Sequence, residues 1–169
     1  MEYLSLIFLH VVFGIVWAGG TIAVGFFFIP SLAEAGAGGG AVMSGVIKRR
    51  FPIAMSIAGA LTVLSGLRLY MLRFSAGWLT TPEGIALTLG GLLGLGALGI
   101  GVFGQKPTAQ RIGALSAQIV ASGAPPTPAQ LSELQALREK MTRLGYVIAW
   151  HLLAASVLMA SHRLLAAIG

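Results

Sequence analysis

Four apolar runs divide the chain, at 3–29, 51–74, 83–104 and 144–168, and each is long enough to cross a bilayer as a helix. The first, YLSLIFLHVVFGIVWAGGTIAVGFFFIP, holds a single histidine, His10. Gly14, Trp17, Thr21 and Gly25 fall within about 60° of His10 on a helical wheel. This small-residue face should turn to the interior of a bundle, because small side chains let neighbouring helices approach. Pro30 is expected to end the helix, and 31–50 reads as a glycine- and alanine-rich loop closing in Lys48-Arg49-Arg50. The second run contains Arg68. Tyr70 and Trp78, at its end and in the connection 75–82, suit a membrane interface. In the third run Gly90, Gly94, Ala97 and Gly101 form a stripe within about 40°. Such a stripe implies close packing against a helix, a second copy of the chain or a flat ligand.

Segment 106–143 is polar with a helical apolar period. Ile112, Leu115 and Ile119 mark one amphipathic helix, and Leu131, Leu134, Leu137, Met141 and Leu144 another. Gly123-Ala124-Pro125-Pro126 breaks them. Thr127, Pro128 and Gln130 read as an N-cap, a proline at N1 and a capping box. The third run should leave the membrane, turn, and return as a helix that continues into the fourth run, which carries His151 and His162. The predicted fold is all-α: one domain over 1–169, a four-helix transmembrane bundle with a cytoplasmic helical hairpin at 106–143.

Composition agrees with a bilayer environment. Hydrophobic residues make up 56% of the chain and charged residues 9%, with a mean hydropathy of +0.88, where soluble domains carry roughly 25% charge. The net charge of +6 would suggest nucleic acid in a soluble protein. Here the basic residues flank the apolar runs, so they signal topology and no nucleic-acid partner. Cysteine is absent, which excludes disulfides and thiolate chemistry. The start of the chain lacks a basic n-region and an A-x-A site, so the first helix is expected to be retained. Lys48, Arg49, Arg50, Lys106, Arg111, Arg138, Lys140 and Arg143 lie beyond the first and third runs, against Arg73 and Arg163 on the other side. The positive-inside rule then puts both termini outside a bacterial-type inner membrane.

An ionisable group inside a membrane helix is a functional candidate. At 1.5 Å per residue His10 lies roughly 8 Å outward of its span's midpoint, His162 roughly 9 Å and Arg68 roughly 8 Å. Two histidines at one depth suit bis-imidazole ligation of a haem b iron. Gly14, with Trp17 on the same face, would leave space for the macrocycle, and Arg68 could pair with a propionate. His151, roughly 16 Å inward of His162 on the same face, could ligate a second haem with Met55, a symmetry mate or no sixth ligand. Plainer roles compete: hydrogen bonding across helices for the histidines, an interfacial position for His162, and snorkelling beside Arg73 for Arg68. Lys48-Arg49-Arg50 could also touch anionic lipid.

Three functions follow as expectations. The first is a small b-type haem protein that transfers electrons with quinol as membrane partner; any turnover would be that of a quinol-linked membrane oxidoreductase. The second is copper transport or sensing through His10, His162 and Met159. The third is a non-catalytic subunit, homodimeric through the Gly90, Gly94, Ala97 and Gly101 stripe, whose hairpin binds a partner.

The pattern LHVVFGIVWAGG followed by FFFIPSL, with the KRRFP start and LSGLRLY end of the second run, resembles the opening of the CopD-like and HemJ-type four-helix membrane proteins. The resemblance covers under half the chain. It implies a four-helix bundle, b-type haem, and roles in copper handling or protoporphyrinogen oxidation, with His10 matching the family's first-helix histidine.

Overall fold

A computed structural model describes residues 1–35 and 37–166; residues 167 and 168 of the fourth run lie outside that set. All four runs are helical, because each is rich in leucine, alanine and isoleucine and keeps proline out of its interior. Helix α1 (Glu2–Ala23) passes through a π-helical turn, Val24–Phe28, into α2 (Ile29–Glu34). Helices α3 (Ala37–Lys48), α4 (Phe51–Arg73), α5 (Ala76–Leu79) and α6 (Pro82–Ile100) follow. A second π-helical turn, Gly101–Gln105, joins α6 to α7 (Lys106–Ser122), and α8 (Pro128–Ala166) completes the chain. The helices at Glu2–Leu32, Phe51–Arg73, Pro82–Ser122 and Pro128–His162 are long and apolar enough to cross a membrane. Large apolar side chains face outward on each, as Phe8, Leu64, Leu92 and Val157 do, which is the surface that lipid rather than water covers. The chain is an all-α bundle of a multi-pass membrane protein.

Two expectations need correction. Pro30 does not end the first helix, and 31–50 is mostly helical rather than a loop. The reason lies one turn earlier. A proline inside an α-helix has no N–H to donate and its ring crowds the carbonyl four residues back. Here the Ile29 N–H reaches Val24 O, five residues back, so the turn is widened before the proline enters it. The same device recurs at Pro107, where the Lys106 N–H bonds Gly101 O. The chain finally reverses at Arg50, which adopts a left-handed conformation (φ 58°) ahead of Pro52.

The hairpin between α7 and α8 closes at Gly123, whose φ of 62° suits glycine. The capping box forms: the Thr127 N–H donates to Gln130 Oε1 at 2.9 Å, and the Gln130 N–H to Thr127 Oγ1 at 3.3 Å. Arg111 pairs with Glu133 across the two arms at 2.6 Å. Loss of the cap in Thr127→Ala should cost about 1 kcal/mol and lower the melting temperature by about 2–4 °C in a detergent thermal melt.

The four long helices pack as two close antiparallel pairs, α1 with α4 and α6 with α8, joined mainly through α1 and α8. Gly25 faces Ala149, and Gly145 faces both Ile29 and Gln105, so small residues set that joint. The core gathers one or two residues from each long helix: Trp17, Ala58, Ala97, Ile148 and Leu152. Trp17 is 7% exposed.

Candidate functional site

The α1–α4 seam has a regular register. His10 lies on Gly66, Gly14 on the Thr62 methyl, and Trp17 on Gly59. Each step of three or four residues along α1 is matched by an equal step back along α4, as antiparallel knobs-into-holes packing requires. The seam of α4 is built for this, with Ala58, Gly59, Thr62 and Ser65 all buried. The Thr62 and Ser65 hydroxyls return to their own helix, on Ala58 O at 2.7 Å and Leu61 O at 2.6 Å. Neither hydroxyl is therefore left unpaired in an apolar setting.

His10 Nδ1 donates to Thr62 O at 2.8 Å. A carbonyl only accepts, so Nδ1 carries a proton, and in the neutral ring this leaves the Nε2 lone pair free. The hydrogen bond also fixes the orientation of the ring, as it does for metal-bound histidines. Gly66 makes the position possible. A Cβ there would lie 2.6 Å from His10 Cε1 and 2.9 Å from Nδ1.

The other two histidines share this tautomer by a local route. His162 Nδ1 donates to Met159 O at 2.6 Å, and His151 Nδ1 to Val147 O at 2.8 Å. Extending the Gly25–Ala149 register places His10 opposite residue 164 of α8. His10 and His162 therefore stand within about 3 Å of one level, as depth counting expected. Their faces differ. His10 turns to α4, whereas His162 shares the face of α8 that carries His151 against Gly96 and Met159 against Gly90. The two rings thus enter from different seams.

The supporting residues fall elsewhere than expected. The space at Gly14 is occupied by Thr62. Trp17 is the centre of the core rather than a cofactor wall. Arg68 pairs with Glu2 at 2.8 Å, through both Nε and Nη2, so its charge is already met. Arg73 does the same with Glu83 and lies over Trp78, while Tyr70 bonds Thr88. Met55 packs on Gly20 in the first seam and His151 on Gly96 in the second. The glycine stripe of α6 is divided: Gly90 packs onto α8 and Ala97 is buried in the central core, whereas Gly94 and Gly101 have open space at the Cβ position. Among the described residues no three His, Cys, Asp or Glu side chains converge on one point.

Gly59, Thr62, Ser65 and Gly66 were not singled out from the sequence. Their signal was present as two glycines seven residues apart on one face of α4, flanking a threonine. Only the partner helix shows that this stripe receives Trp17 and His10. No family model, curated protein or solved structure matches the chain.

Proposed function

We propose that this is a small haem-b-binding integral membrane protein that passes electrons, with a quinol as its membrane partner. The observation that carries the reading is the His10 imidazole, held by Thr62 O with Nε2 free inside a membrane helix pair. The donor chemistry suits ferric or ferrous haem iron, a neutral imidazole presented in a low-dielectric setting. His162, near the same level and in the same tautomer, is the candidate second ligand. Because it enters from the α6–α8 seam, the two seams would have to part for both rings to reach one iron. Such a group, when bound, supplies one-electron redox chemistry. The chain's own part is to fix two nitrogens and exclude water with the apolar faces of four helices. By the positive-inside rule the eight lysines and arginines on the hairpin side favour the cytoplasm for that end, which would put the histidine level near the outer face of a bacterial-type inner membrane.

A second reading, a non-catalytic membrane subunit, draws support from the filled space at Gly14 and the central packing of Trp17. Absorption spectra of the detergent-purified protein, oxidised and dithionite-reduced, separate the two. The haem reading expects a Soret band and a sharp reduced α band, both lost in His10→Ala and His162→Ala. Loss in His10→Ala alone would make His10 the sole protein ligand. A colourless wild type, expressed with adequate haem, rejects the haem reading in favour of the second.

A further inference from the structure

The hairpin end of α8 carries a groove that the redox reading leaves unused. It is a shallow groove along one face of that helix from Leu131 to Trp150, open along much of its length, with a volume of about 890 Å³. Two chemistries succeed one another along it. Arg138 and Arg143 are exposed on its polar stretch. Within about two further turns the lining becomes Tyr146, Val147 and Trp150. Neither arginine has a carboxylate partner among the described ion pairs, which use Arg68, Arg73 and Arg111. The one carboxylate in the groove, Glu139, accepts from Gln135 Nε2 at 3.0 Å.

The apolar stretch is held in place. Phe26, in the first π-helical turn, meets Trp150 edge-on with centroids 5.2 Å apart and Tyr146 at 5.9 Å. Trp150 nevertheless remains 60% exposed and Val147 37%. Tyrosine and tryptophan with a free polar edge are the side chains that settle at headgroup level. From Leu131 and Leu134 the groove passes through a cationic middle, Arg138 and Arg143, to an aromatic–aliphatic end of the kind that sits at the bilayer surface.

We propose that this groove is a binding site for an anionic phospholipid. Arg138 and Arg143 would hold the phosphate-bearing headgroup, and Tyr146, Val147 and Trp150 one acyl chain. Charge complementarity argues for that occupant. The hairpin end carries eight basic residues against Glu34, Glu133 and Glu139, and guanidinium groups bind phosphate oxygens through paired N–H donors. A soluble acidic partner would not use the membrane-level half of the groove. A second copy of the chain would bring two like-charged ends together.

The test uses the fluorescence of Trp150 in the full-length protein reconstituted in phosphatidylcholine vesicles. A small, fixed fraction of brominated phosphatidylglycerol is compared with the same fraction of brominated phosphatidylcholine, and Trp150→Phe identifies the contribution of Trp150. Preferential quenching by the anionic lipid is expected. Each basic contact near an anionic surface is worth about fivefold, so Arg138→Gln with Arg143→Gln should lower the preference about 25-fold. The double lysine variant, which preserves charge, should retain most of it. Equal quenching by the two lipids in the wild type would overturn the proposal, as would an undiminished preference in the double glutamine variant. So would a shift from dimer to monomer in that variant, measured by light scattering, without any lipid preference in the wild type, since the groove would then be an interface between copies. Circular dichroism of each variant confirms that the comparison is made on folded protein.

Discussion

Gly66→Leu is expected to drive the His10 ring out of the α1–α4 seam and to destabilise the bundle by about 1–3 kcal/mol. Even the first carbon of the new side chain would stand 2.6 Å from His10 Cε1. The ring cannot swing aside without losing its bond to Thr62 O. Nor can the helices part, because Gly14 on Thr62 and Trp17 on Gly59 clamp the seam on its inward side. Thermal unfolding in detergent measures the cost. A double-mutant cycle assigns it: in a His10→Ala background the same leucine has room, so the two changes should couple by about 1 kcal/mol or more. The absorption spectrum adds an independent reading. If His10 ligates haem, Gly66→Leu should weaken or abolish the band although no ligand was removed. A Gly66→Leu protein as stable as wild type, with no coupling to His10, would show that the ring is not seated against α4.

Trp17→Ala should be the most damaging single change, at about 3–5 kcal/mol. Trp17 is the largest side chain of a core to which all four long helices contribute, beside Ala58, Ala97, Ile148 and Leu152. Ala58, Gly59 and Ala97, beside the ring, are too small to close the space it leaves, and the larger residues around them are fixed in the same core. Lipid chains do not fill it either, because the site is enclosed by the bundle. Trp17→Phe should recover most of the stability, since it restores an aromatic ring against Gly59. The measurement is the midpoint of thermal unfolding in one detergent for both variants. A loss below about 1 kcal/mol in Trp17→Ala would mean that the two helix pairs are held by something other than this core. Because neither substitution touches a histidine, any effect on a haem spectrum would come through packing alone.

Much of the architecture was legible along the chain, for a local reason. Helix formation, apolar faces and caps depend on residues within about four positions of one another. The four apolar runs, the return of the third run into the fourth, and the Thr127–Gln130 cap all belong to that class. Equal depth of His10 and His162 is also local information, since it needs only a count of residues from the middle of each span. Pro30 misled because a proline ends a regular α-helix, whereas here a π-helical turn before it, packed beside α8, lets the helix continue. Gly145 meets both Ile29 and Gln105 there, where the two π-helical turns end.

Rotation and register between helices belong to the tertiary structure alone. Small residues on two sides of a helix offer similar approach distances, and no local rule says which side meets which partner. His10 could have faced α8; packing instead gives it Gly66 and the Thr62 carbonyl. Gly14 could have been a gap; the Thr62 methyl fills it. Trp17 could have lined a cofactor and is instead the centre of the core. The run of apolar residues along the chain determines that these helices enter a membrane and at what level each polar group sits. The close-packed interior determines which of those groups meet, because only one rotation of each helix satisfies the seams with both of its neighbours at once.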